Sequence, residues 1–179
     1  KAVMQNFADI QAMGARPTAL LLAIVTPGDM PLETISELAR GINDAATPWG
    51  AELVGGDVVR AEDLVLSLTA LGELGGPAPA LTLDGAGVGH RVIASGNIGY
   101  SAAGLDVLQY FGSRKSVPQD DPILQELVSW HCSPKLEVGR GTVARAAGAS
   151  SMTDNSDGLV ADLSVIAQRS GVCIDVDVE

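Results

Sequence analysis

Apolar positions along the first eighty residues follow two rhythms. Val3, Phe7, Ile10 and Met13 recur at steps of three and four, one face of an amphipathic helix, which predicts a helix over Ala2–Ala15 with Gly14 as its stop. Thr18–Val25 is an unbroken apolar run rich in branched side chains and predicts a strand buried on both faces. Helical spacing returns over Leu32–Ala46 through Leu32, Ile35, Leu38, Ala39 and Ile42, with Pro31 suited to its start. Thr47–Gly50 closes that helix, and Trp49 is expected on the core. Two shorter strands are predicted over Ala51–Val54 and Leu64–Leu71, with Gly55–Gly56 read as a sharp turn after the first and Arg60–Asp63 as a polar turn.

Gly72–Ala80 holds two prolines and three glycines and reads as a linker, dividing the chain into units at 1–76 and 77–179. In the second unit a strand is predicted over Arg91–Ser95, then a glycine turn over Gly96–Ser101 and a helix over Ala102–Phe111. Helices over Asp120–Trp130 and Val138–Ala147 follow, separated by Pro134. A strand end is expected at Ser151–Asp154 and a helix at Gly158–Arg169. Strict alternation over Val172–Val178 predicts a closing strand whose Asp175 and Asp177 face water. Helices interleaved with strands place the chain in the mixed α/β class.

The balance of 22 acids against 11 bases gives a net charge of −11, which disfavours a nucleic-acid backbone or an anionic membrane as partner. An acidic chain that handles phosphate has to neutralise both itself and its ligand, and hard Mg²⁺, which prefers carboxylate oxygens, does so. Cys132 and Cys173 are far apart with no C-x-x-C, arguing against zinc and a disulfide framework and for a reducing, cytoplasmic setting. No apolar run reaches the length of a membrane span. The stretch opens at Lys1 and stops directly after the closing alternation, so it is read as a piece of a longer protein.

Candidate chemistry gathers in the acids. Asp57 directly follows the glycine pair in Leu53–Val54–Gly55–Gly56–Asp57, and it reads either as part of an ordinary hairpin turn or as a metal or phosphate ligand. Asp154–Asn155–Ser156–Asp157–Gly158 precedes a helix. Ser156 or Asp157 could simply cap it, but capping accounts for one acid, and a helix N-terminus also favours a cation-bridged phosphate. Asp9 sits within the first helix, as a solvent-facing acid or a ligand. Gly96 and Gly99 have the wrong spacing for a dinucleotide or phosphate loop, and a structural turn is preferred. His90 and His131 are isolated and read as turn or surface residues, and no Ser–His–Asp or Cys–His arrangement is suggested.

Four ordered blocks, Asn6–Pro17, Leu53–Asp57, Gly96–Leu105 and Asp154–Leu159, together resemble thiamine-monophosphate kinases, within the ATP-binding superfamily that includes aminoimidazole ribonucleotide synthetase. The resemblance implies a two-domain α/β architecture, here with both domains incomplete, and transfer of the ATP γ-phosphoryl to thiamine monophosphate. It implies Mg²⁺ held by Asp9, Asp57, Asp154 and Asp157, with Gly56, Asp57 and Ser156 against ATP, and a homodimer formed through the N-terminal domain. No catalytic side chain is expected beyond positioning and metal assistance, since the acceptor is itself a phosphate. The family also has an acidic segment before the first helix and substrate contacts beyond Glu179, so this stretch alone is expected to be inactive. Leu83 stands where the family usually has an ATP-contacting arginine, and Asn155 where it has an apolar residue. A non-catalytic nucleotide-binding or dimerisation module, or a sister ATP-dependent synthetase, are the other functions compatible with these blocks.

Overall fold

The computed structural model describes residues 1–177. It resolves into two compact units, each assembled from separate stretches of chain. One comprises Ala2–Thr82 with Glu137–Asp154, the other Lys1 with Leu83–Leu136 and the residues from Asn155 onward.

The first unit is built on a three-stranded sheet. Helix α1 (Ala2–Ala12) leads into strand β1 (Arg16–Thr26), helix α2 (Leu32–Ala46) and a 3-10 turn (Thr47–Trp49), then strands β2 (Glu52–Arg60) and β3 (Val65–Glu73). The order in the sheet is β2-β1-β3, with β1 parallel to β2 and antiparallel to β3. The four residues Ala61–Leu64 therefore carry the chain across the end of β1 rather than through a hairpin. Ala61 N–H donates to Thr26 O on the way.

Two expectations are corrected here. The glycine pair does not end a strand: β2 runs straight through Leu53–Asp57, with a one-residue bulge, because Leu20 pairs with Leu53 but Leu21 pairs with Gly55. Continuation is possible because β1 supplies a ladder on which those residues pair. Nor is β1 covered on both faces. Leu20, Leu22, Ile24 and Thr26 are buried on one side, whereas Leu21 is 40% exposed on the other. Its continuous apolar run reflects one packed face and one open apolar face.

The packed face is covered by α1, which lies on β3 and β1, while α2 lies on β2. Phe7 is fully buried and meets Trp49 edge-on at 5.4 Å between ring centroids, so Trp49 does pack on the core. Helix α5 (Arg140–Ala146) presses on the end of α1. A Cβ at Gly141 would lie 1.9 Å from Gln11 O, and the buried Gln11 side chain donates to Glu137 O and accepts from Gly141 N. One turn on, the buried Arg145 guanidinium donates to Gly14 O, Gly75 O, Ala78 O and Pro79 O at 2.5 to 3.3 Å. Gly75, Ala78 and Pro79 lie in a stretch without regular structure and Gly14 in the turn after α1, and Arg145 supplies the donors a sheet or helix would otherwise provide.

In the second unit, helix α3 (Tyr100–Phe111) packs on α4 (Pro122–Cys132), and α6 (Leu159–Ser170) completes the helical set. Asp121 caps α4 by accepting from Ile123 N and Leu124 N, and Pro122 at the first helical position needs no donor partner. The strands expected over Arg91–Ser95 and Val172–Val178 are absent from the described residues, as is the strand end at Ser151–Asp154 in the first unit. A strand exists only through a partner, and alternation alone supplies none. Val178 lies outside the described residues. No helix among the described residues is long and apolar enough to cross a membrane.

Candidate functional site

Asp57 lies near the middle of β2, and register fixes its surroundings. It pairs with Ala23, which pairs with Ser67 on β3, and directly paired residues share a face. On that same open face the next row down the ladder is Val59, Val25 and Val65. Asp57 is exposed, its Oδ1 accepting the N–H of Val58 at 2.8 Å. Beside it, Gly56 is glycine for a spatial reason, since a Cβ there would stand 1.8 Å from Leu22 O. The glycine lets β2 lie close to β1 and so places the following carboxylate on the open face.

Asp9, on α1, is also exposed, and Asp154 is half-buried at the end of the same unit. The chain reaches Asp154 through a short bridge back to the linker, in which Met152 N and Ser151 Oγ both donate to Thr82 O. Ser156 and Asp157 belong to the other unit, exposed in the turn before α6. Three of the four predicted metal ligands thus sit in the first unit and the fourth, with Ser156, in the second. Among the described residues, no group of three or more His, Cys, Asp or Glu side chains stands close enough together to hold a metal ion. Among the described residues no ion pair engages Asp9, Asp57 or Asp157. All four acids offer hard oxygen donors of the kind Mg²⁺ takes.

Other residues take on roles that pattern alone did not assign. Ser170, at the end of α6, donates to Leu83 O at 2.9 Å and accepts from Ala86 N at 3.1 Å, shaping the segment Leu83–Ala86. His131 is half-buried rather than isolated, with Nδ1 3.1 Å from Ser101 O and 3.2 Å from Ser101 Oγ, joining α4 to the start of α3. Gly96 and Gly99 have positive φ and form the turn before α3. A serine closing a helix and a histidine on a mostly apolar one carry no spacing signal, which is why neither stood out.

Residues 1–74 match the AIR synthase related protein family, N-terminal domain. Over nearly its whole length the chain is similar to thiamine-monophosphate kinases. It is 56% identical over 177 residues to the thiamine-monophosphate kinase of Corynebacterium glutamicum, covering 99% of this chain and 52% of that protein. The thiamine-monophosphate kinase structure from Stenotrophomonas maltophilia K279a superposes with a TM-score of 0.84 at 34% identity, covering 93% of this chain and 52% of that one. AaThiL complexed with AMPPCP and TMP matches with a TM-score of 0.83 at 29% identity, over 93% and 51% of the two chains. The chain spans about half the length of the curated relatives it matches.

Proposed function

We propose that this chain is part of an ATP-dependent kinase that transfers the γ-phosphoryl of ATP to thiamine monophosphate, giving thiamine diphosphate. The observation that carries the reading is identity to a thiamine-monophosphate kinase across nearly the whole chain, at 56%. Asp9, Asp57, Asp154 and Asp157 hold Mg²⁺ in this reading, and Gly56, Asp57 and Ser156 lie against the nucleotide. When bound, Mg²⁺ neutralises charge on the triphosphate and on the group in flight. The chain's own part is to bind and orient. Asp57 on β2 and Asp157 in the turn before α6 present the carboxylates, and the phosphate acceptor needs no strong general base. Transfer of the whole activity requires segments outside this stretch.

A homodimer formed through the sheet, and a cytoplasmic location, belong to the same proposal. Support for the dimer is the open sheet face, where Val59, Val65 and Leu71 are 48%, 51% and 50% exposed. A partner laid on that face also covers the row that carries Asp57.

A second reading keeps the fold and the nucleotide but loses the chemistry, and Leu83 favours it, since an apolar side chain makes no charge-assisted bond to phosphate. Calorimetric titration of AMPPCP with and without Mg²⁺ tests the site. Binding is expected to need Mg²⁺ and to weaken at least tenfold in Asp57→Asn, while metal-independent binding contradicts the assignment. Product analysis with thiamine monophosphate on the longer protein then separates the kinase from the inactive module and from a sister synthetase.

A further inference from the structure

Asp162 is a buried carboxylate, 8% exposed, in the first turn of α6. Its Oδ2 accepts the N–H of Gly158 at 3.1 Å, and its own backbone N–H donates to Gly158 O at 3.0 Å. One residue therefore grips both polar groups of Gly158. Gly158 has φ 109° and ψ 148°, a backbone region open in practice only to glycine, so the turn needs an external restraint to stay there. The hydrogen bond to Gly158 N fixes the plane of the Asp157–Gly158 peptide. Through that plane it fixes the direction in which the exposed Asp157 side chain leaves the backbone.

A carboxylate that is largely withdrawn from water is unfavourable unless its oxygens are satisfied. Gly158, directly before α6, offers no side-chain cap, and Asp162 reaches back to the Gly158 amide in the manner of the returning half of a capping box. That amide belongs to the turn carrying Ser156 and Asp157.

We propose that Asp162 is a positioning residue for the turn Asn155–Gly158, holding the Asp157 carboxylate and the Ser156 hydroxyl ready for a cation-bridged phosphate without touching the ligand. The inference rests on the reading of that turn as part of the Mg²⁺–ATP site. It assigns the work to the hydrogen bond and not to the charge.

The test is calorimetric titration of Mg²⁺ and AMPPCP into the wild type, Asp162→Asn and Asp162→Ala, paired with amide hydrogen exchange at Gly158. Asn keeps an acceptor in place, so its affinity should stay within about threefold of wild type with Gly158 still protected. Ala should lose at least tenfold in affinity and exchange Gly158 at least tenfold faster. Wild-type affinity in Ala despite a deprotected Gly158 overturns the proposal, and so does an Asn variant as impaired as Ala, since charge would then be the operative feature. Should Ala fail to fold, Asp162→Glu replaces it: moving the acceptor by one methylene is expected to weaken binding, and unchanged affinity counts against the idea. A wild type that binds no nucleotide with Mg²⁺ removes the site reading and this role together, whereas variants indistinguishable from a binding wild type remove this role alone.

Discussion

A methyl group added at Gly56 would stand 1.8 Å from the Leu22 carbonyl oxygen, backbone against backbone, while the same group at Gly55 meets only the tip of Leu21 at 3.4 Å. Two adjacent glycines thus face opposite consequences. Gly56→Ala forces β2 away from β1 and is expected to destabilise the protein by about 3 kcal/mol, the upper end of overpacking costs. Gly55→Ala is expected to stay within about 0.5 kcal/mol of wild type, as ordinary exposed positions do. Urea unfolding of the two variants checks the pair. The sequence reading took both glycines for a turn, because a Gly-Gly step looks the same whether it bends a chain or lets two strands approach. Asp57 was nonetheless legible as a candidate, since a carboxylate behind small residues stands out in either geometry. Asp162 was not: a lone acid four residues after a glycine resembles any acid in a first helical turn.

Among the elements, helices were the most legible, because caps and periodicity are local. Asp121 with Pro122 announces α4, and Asp121→Ala is expected to lower stability by about 1 kcal/mol through the lost cap, measured by thermal unfolding. The segment Gly75–Pro79 depends on something no local pattern reveals, three of its carbonyls being gathered by Arg145 together with that of Gly14. Lysine offers three donors from a single point and cannot reproduce a planar fork reaching carbonyls on several sides. Arg145→Lys is therefore expected to lower stability by about 2 kcal/mol, and Arg145→Ala by about 3 or more, because buried carbonyls lose their donor. Limited proteolysis reads the same event as faster cleavage between Gly75 and Pro79, and cleavage at the wild-type rate in Arg145→Ala would dismiss the clamp. Strands in the second unit failed for the converse reason. Alternation over Val172–Val178 describes which side chains could face one way, but not whether another strand lies alongside.

At the scale of the whole molecule, the sheet's open face and the net charge of −11 set the expectations. Exposed Val59 and Val65 flank the half-buried Val25 in a row across all three strands, a surface that suits a second copy of the same sheet better than water. Sedimentation is expected to give a dimer for the wild type and a monomer for Val65→Glu, in which a charge enters that row. A monomeric wild type ends the dimer proposal. The crossing of β1 by Ala61–Leu64 was the least legible feature at this scale, because a short polar connection between two strands reads first as a hairpin.

The two tryptophans fall one to each unit: Trp49 is buried against Phe7, and Trp130 is half-buried on α4 beside Tyr100. Nature has supplied a separate optical reporter for each half of the molecule. Trp130→Phe leaves emission from the sheet unit alone, and Trp49→Phe leaves emission from the helical unit alone. Melting curves from the two variants that coincide describe one cooperative body, and curves that part describe two that come undone in turn.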